Sequence, residues 1–294
     1  MTHSNHDTRA INMAKSAPRF QTQRFDSITA YGTAVRALGT QRHPKAGRAS
    51  EKSRHADWDN GHSFDDAVKC ACAGGYWPEG AQALQSVNIH DLLNTAEFTV
   101  QSAIELAVTG GAVDVGEYLA NSPECFYRVE ETEPAKPVLK LGVLVAPAAR
   151  ITARQQMNRG RAIMALVEAL EMTGYAVELC ASYLSAKQGK ALRIDVCIKQ
   201  AGEPWSAGTV AYALAHTAFT RRLGFRMAEA HPDKGWIATG SYGSGHSIKE
   251  YKPDDMDLYF GYLTDAKTVQ TPQTALNSVM REAKQQRPEL LKAA

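Results

Sequence analysis

The sequence lacks the long apolar segments that membrane insertion and secretion require. No run of apolar residues approaches the roughly 18 that a membrane-spanning helix needs, and residues 1–15 are polar. A signal peptide needs an apolar stretch close to its start, and none is present there. We therefore expect a soluble protein that makes no membrane contact and stays in the cytoplasm.

Cysteine is scarce and odd in number, which argues against a disulfide framework. The five cysteines are scattered over 294 residues, a pattern that suits reduced thiols in a cytosol. Cys70 and Cys72 lie near His62, but a structural zinc site needs four ligands, and no second cysteine pair follows at a usable spacing. We therefore interpret Cys70 and Cys72 as structural thiols on a helix.

Common catalytic and nucleotide-binding motifs are also missing. The sequence contains no Gly-x-Ser-x-Gly elbow, no Walker loop and no dinucleotide fingerprint. Its four tryptophans are dispersed, which is typical of core anchors rather than of a base-stacking platform. The absence of a complete catalytic set favours a binding protein without a cofactor over an enzyme.

The formal net charge is small, but it is divided unevenly along the chain. Residues 1–55 contain ten Lys or Arg and three Asp or Glu, a net charge of +7, so a total of +2 leaves −5 for the remainder. A basic segment attracts phosphate backbones or an acidic protein surface, and a solvated tail is the alternative interpretation. The predicted nucleic-acid-binding residues are Arg19, Arg24, Arg36, Arg42, Lys45, Arg48, Lys52 and Arg54.

Composition and periodicity divide the chain into three regions and predict an α+β fold. Residues 1–57 are predicted to be a flexible basic arm with one short amphipathic helix at about 25–38. Residues 58–130 are predicted to be helical. An acidic, proline-bearing stretch over 130–137 precedes an α/β sheet domain over 138–294. We expect a helical N-terminal half and a C-terminal mixed sheet flanked by helices.

Individual elements follow from apolar spacing, caps and turn residues. Ser63 and Asp66 form a capping-box pattern, and Gly174 stands where a left-handed helix end is expected. Residues 192–199 alternate between apolar and polar side chains, which predicts a half-buried strand. The remaining predicted helices are at 64–73, 81–108, 206–229 and 271–286, with one more that carries Ile163, Leu166, Val167 and Leu170 on one face. The remaining predicted strands are at 138–146, 236–239 and 256–263, with one more that begins with Val177 and Leu179.

A glycine-rich stretch followed by spaced aspartates is similar to the signature of the nucleotidyltransferase superfamily. The stretch spans 239–245, and the aspartates are Asp255 and Asp257. The resemblance implies that Gly240, Ser241 and Gly243 hold phosphate, and that the aspartates bind Mg²⁺. Carboxylates at i and i+2 of a strand lie on one face and can share divalent ions.

The same resemblance leaves one expected group without a match. That superfamily usually supplies a third carboxylate from a later strand. After Leu263 the acids are Asp265, Glu282 and Glu289, on what the pattern predicts to be loop and helix. A glycine-rich turn before aspartates is also common as a plain loop, so both interpretations stay open.

The unit over 141–179 resembles the opening of a von Willebrand A-type domain. Such domains place a metal-binding Asp-x-Ser-x-Ser after the first strand, whereas residues 146–150 here read Ala-Pro-Ala-Ala-Arg. The resemblance therefore implies the topology and no ion site. With 123–125 and 215–222, the unit is also similar to an uncharacterised family of tailed-bacteriophage proteins over about 58–263.

We accordingly predict a non-enzymatic bacteriophage protein that acts in the host cytoplasm or in an assembly. Its partner is predicted to be nucleic acid or a phage or host protein. Two alternatives stay open, which are a nucleotidyltransferase-like, Mg²⁺-dependent enzyme and a structural component of a virion or assembly. The last alternative implies a homo-oligomer.

Overall fold

The computed structural model is an α+β protein in which helices pack against a mixed five-stranded sheet. The fold class is therefore the predicted one. No helix among the described residues is long and apolar enough to cross a membrane. The described residues are 19–41, 48–52, 61–85, 105–107, 112–113, 119, 122, 126–128, 136–146, 148, 151–187, 190–232 and 253–291.

The elements are numbered in chain order. The helices are α1 (Ile28–Leu38), α2 (Phe64–Cys72), α3 (Pro78–Gln85), α4 (Ala153–Met172), α5 (Ala207–Ala215), a π-helix (Phe219–Gly224), α6 (Phe225–Ala230) and α7 (Pro272–Gln286), with short 3₁₀ turns at Ala266–Val269 and Pro288–Leu291. The strands are β1 (Arg19–Phe25), β2 (Glu105–Ala107), β3 (Ala112–Val113), β4 (Phe126–Arg128), β5 (Val138–Leu144), β6 (Ala176–Lys187), β7 (Lys190–Lys199) and β8 (Leu258–Phe260).

The main sheet has the strand order β1-β7-β6-β5-β8. β5 runs parallel to both β6 and β8, β6 and β7 form an antiparallel hairpin, and β1 runs parallel to β7. The crossover helix α4 joins β5 to β6. Since the chain leaves β5 towards β6 and later returns on its other side as β8, the strand order reverses at β5.

The β5-α4-β6 unit forms where the sequence predicts it. Thr152 and Gln155 make a reciprocal capping box at the start of α4, and Gly174, with φ of +91°, follows its end. Ile163, Leu166 and Leu170 of the predicted apolar face are fully buried. Because burying each such side chain contributes about 1.5–3 kcal/mol, this helix face anchors the core.

The N-terminal region departs from the predicted flexible arm. Residues 19–25 form β1 of the main sheet, and the predicted amphipathic helix is present as α1. Tyr31 and Val35 of α1 are fully buried, and Gly32 allows close packing on α2, since a Cβ there would lie 2.7 Å from the Ala71 backbone. The prediction of a flexible arm is therefore wrong for residues 19–25, which pair with a strand distant in sequence, whereas the predicted helix is confirmed.

Five further predictions need correction. β7 is buried on both faces rather than half-buried, the helix at 206–229 is interrupted at His216, and the strand at 256–263 is limited to β8. The region over 58–130 contains α2 and α3, but also a small antiparallel sheet of order β2-β4-β3. Part of the predicted helix 81–108 is strand β2, and its residues 86–104 lie outside the described residues, as does 236–239.

Candidate functional site

Five cations of the N-terminal region lie in one segment, and both ends of this segment are attached to the rest of the protein. We call residues 36–52 the basic segment. It contains five Lys or Arg and one acid, Glu51, a net charge of +4. It starts in the last turn of α1, which packs against α6, and it ends in a turn at residues 48–52.

That turn is held by a buried carboxylate of α6. The Ser50 backbone N–H donates to Glu229 Oε1 at 3.0 Å, and the Ser50 hydroxyl donates to Glu229 Oε2 at 2.5 Å. Both residues are fully buried. A buried carboxylate is stable only when its oxygens accept hydrogen bonds, so this pair fixes the position of the turn.

Two arginines complete the attachment. Arg222, in the π-helix, donates from Nη1 to the carbonyls of Ser50 and Lys52, each at 2.9 Å. Arg226 pairs with Glu51, and its guanidinium lies 4.5 Å from the centre of the Phe64 ring. The charge of Glu51, the one acid of the basic segment, is therefore balanced by Arg226 of α6. π-helical turns are frequent at functional sites, and here the turn directs Arg222 at the basic segment.

The predicted nucleic-acid-binding residues differ in their exposure and in their partners. Arg36, Arg48 and Lys52 are exposed, and among the described residues no carboxylate pairs with them. Arg24 is engaged with Glu178 at 2.7 Å, and Glu178 raises the pKa of its guanidinium. Arg19 lies at the start of β1. The remaining three, Arg42, Lys45 and Arg54, lie outside the described residues.

On the polar side of β7, the buried Arg193, Asp195 and Ser182 form a network with the exposed Asp255 that the sequence did not predict. Arg193 donates from Nε to Asp195 at 2.6 Å and from Nη2 to Asp255 at 2.5 Å, and the Ser182 hydroxyl donates to Asp195 at 2.6 Å. Burial raises the pKa of Asp195, although Ser182 and Arg193 oppose it. The hydrogen bond from Arg193 lowers the pKa of Asp255. The sequence signal that could have revealed the Arg193–Asp195 pair is the spacing of its opposite charges, which lie two residues apart and therefore on one face of the strand.

Asp255 and Asp257 do not have the predicted arrangement on a strand. Both precede β8, in a turn, and they reach different partners. Asp257 accepts hydrogen bonds from the Lys140 backbone and from Arg287, each at 2.9 Å. In the parts of the chain that the structure describes, no three His, Cys, Asp or Glu side chains are grouped to hold a metal ion. Gly240, Ser241 and Gly243 lie outside those parts.

A cleft of about 210 Å³ opens beyond the carboxyl end of β8, the strand that pairs with β5. Ligands of open α/β sheets bind where the strand order reverses, and this is such a point. Arg159 lines the cleft, but its guanidinium donates to the carbonyls of Leu144 at 3.0 Å and Gly261 at 2.7 Å. Asp265 and Glu282 lie in the same lining. Each of the three side chains hydrogen-bonds the protein's own backbone, since Glu282 accepts from the Gly261 N–H and Asp265 from the Lys267 N–H, so the lining does not indicate a ligand of either charge.

The comparisons with known proteins give a family without an activity. The chain matches the family model described as a domain of unknown function, DUF7192, over residues 10–286. No curated protein and no solved structure matches it significantly. The bacteriophage, von Willebrand A-type and nucleotidyltransferase resemblances therefore stay predictions. Since the family model covers most of its length, the protein belongs to the DUF7192 family.

Proposed function

We propose that this protein is a non-enzymatic binding protein of a bacteriophage that contacts nucleic-acid phosphates through the basic segment. The observation that supports this most directly is the exposure of Arg36, Arg48 and Lys52 on flanks that are fixed to the protein body. Phosphate contacts by Lys and Arg release counterions and provide the sequence-independent part of binding. The bacteriophage origin is inferred from the resemblance over about 58–263.

Attachment of the segment at both flanks favours binding. A free tail must lose its conformational freedom when it binds, whereas a segment with fixed ends has already lost part of it. Arg42 and Lys45 lie in sequence between these fixed flanks, so five cations are confined to 17 residues, 36 to 52. Confinement raises the local positive potential that attracts a polyanion.

The composition of the segment also indicates how selective the binding is. Residues 36–52 contain no Phe, Tyr or Trp, so the segment offers no ring on which bases stack. Backbone contacts position a protein but carry no sequence information. We therefore expect similar affinities for DNA duplexes of different sequence, and a strong dependence on salt.

The test compares two triple variants with the same change in net charge. The first, R42Q/K45Q/R48Q, removes cations from the basic segment. The control, K267Q/R281Q/K284Q, removes three exposed cations from the opposite end of the chain. Binding to a fluorescent duplex is followed by anisotropy between about 50 and 200 mM salt. Deletion of residues 1–55 is unsuitable, because β1 and α1 belong to the fold.

The expected result is a change in the salt dependence of one variant alone. If all three cations contact phosphates, the slope of log K against log salt should become shallower by about 2–3 for R42Q/K45Q/R48Q. The control should keep the wild-type slope. Absence of duplex binding at about 50 mM salt, or an equal loss in both variants, would refute the proposal and leave a protein partner as the alternative.

A further inference from the structure

β1 gives the main sheet an open edge. It pairs with β7 on one side only and ends the strand order β1-β7-β6-β5-β8. Gln21, Thr22, Gln23 and Arg24 are exposed, and no described residue hydrogen-bonds the free backbone side of this strand. An uncovered strand edge is a template for a further strand.

The opposite edge of the same sheet is closed by side chains. Gln286 of α7 donates from Nε2 to the Tyr259 carbonyl and accepts from the Tyr259 N–H, both at 2.9 Å. Glu282 accepts from the Gly261 N–H at 3.4 Å. These contacts satisfy backbone groups of β8 and its extension, so a neighbouring strand has little to bind there. Among the described residues, no side chain hydrogen-bonds the free backbone edge of β1 in this way.

The exposed centre of the open edge carries no charged side chain. Proteins keep edges apart with Lys, Pro, bulges or inward-pointing charges. The exposed centre of β1 is Gln21, Thr22 and Gln23, which are uncharged. Arg24, the charged residue beside them, reaches back over the sheet to Glu178 of β6, at 2.7 Å. Its positive charge is thereby drawn away from the edge.

We propose that β1 pairs with β1 of a second copy of this chain, antiparallel and about a two-fold axis. Full overlap of two strands spanning 19–25 places Thr22 opposite Thr22 of the second copy, and Gln21 opposite Gln23. No like charges face each other at this centre, and Thr–Thr pairs stabilise antiparallel strands. A two-fold contact uses the same surface twice and closes, so it gives a dimer rather than a filament.

Sedimentation velocity without nucleic acid tests this pairing at protein concentrations from about 1 to 100 µM. Wild type should show a concentration-dependent monomer–dimer equilibrium. T22K and T22E each place like charges on the two-fold axis, and each should raise the dissociation constant about fivefold or more. An equimolar mixture of T22K and T22E should restore association, because Lys then faces Glu. T33K and T33E, at an exposed position on α1, are the controls and should behave as wild type.

The mixture separates a specific interface from a general effect of the substitutions. A wild-type chain that stays monomeric throughout, T22K that dimerises like T33K, or a mixture that fails to associate would each refute the pairing. Circular dichroism of every variant confirms that the fold is retained. Because no nucleic acid is present, this result is independent of the proposed phosphate binding.

Discussion

His216 lies at the interruption between α5 and the π-helix, in surroundings that oppose its protonation. Its Nδ1 accepts a hydrogen bond from the Ala218 N–H at 3.2 Å, and the rings of His62, Trp77 and Tyr212 lie within 5.1 Å, centre to centre. The side chain is 3% exposed. Burial, with a smaller contribution from His62, lowers the pKa of His216 to about 3.

The depressed pKa makes a definite prediction about stability and pH. In the unfolded chain a histidine titrates near pH 6.5. As the pH falls below that value, the unfolded state binds a proton that the folded state does not, so stability present above pH 6.5 is lost towards pH 3. Between pH 7.5 and 5.0, the loss from His216 alone should be about 2 kcal/mol.

The assay is urea denaturation of wild type and His216→Asn at pH 7.5, 6.5 and 5.0. Asparagine keeps an acceptor for the Ala218 N–H but does not titrate. The variant should be less stable at pH 7.5, because ring packing is lost, yet its decrease towards pH 5.0 should be smaller by about 2 kcal/mol. The other histidines are present in both proteins, so the comparison removes most of their contribution. An identical pH dependence would mean that the folded state protonates this ring normally, contrary to its burial.

Three further predictions concern packing, burial and the attachment of the basic segment. Gly32→Ala should destabilise the protein by about 1–3 kcal/mol in urea titrations, because the new methyl would lie against α2, whereas the exposed Thr33→Ala should change stability by less than about 0.5 kcal/mol. Cys72 should be alkylated before the buried Cys180 and Cys197, as peptide mapping will show, and similar rates would contradict that burial. Glu229→Gln should speed tryptic cleavage after Arg42, Lys45 or Arg48, since the attachment of Ser50 weakens, and the exposed Glu203→Gln should not.

Several parts of the fold could be predicted because their signals are local. The Ser63–Asp66 capping box satisfies backbone groups within one helical turn. Gly174 adopts the left-handed conformation that its position indicated, and the apolar face of α4 follows the helical repeat. Neighbours within about four residues determine each of these features, so the sequence alone carries them.

The candidate sites depended on contacts that no local pattern reports. Exposure of Arg48 and Lys52 follows from the attachment of Ser50 to Glu229, which lies 179 residues away. Asp255 and Asp257 matched a strand-borne pair, yet Arg193 and Arg287 hold them in a turn ahead of β8. The alternation along β7 predicted a solvated face. That prediction was wrong because periodicity does not distinguish solvent from a buried partner of opposite charge.

The sequence by itself determined the α+β class, the β5-α4-β6 unit and the helix boundaries fixed by caps, since side-chain period and capping chemistry act over a few residues. Tertiary structure decided that Arg19–Phe25 joins the main sheet, because the exposed residues of this edge strand show little alternation between apolar and polar side chains. It also decided which charges are buried in pairs and which stay exposed. Those outcomes depend on the free energy of desolvating groups that meet only in the folded chain.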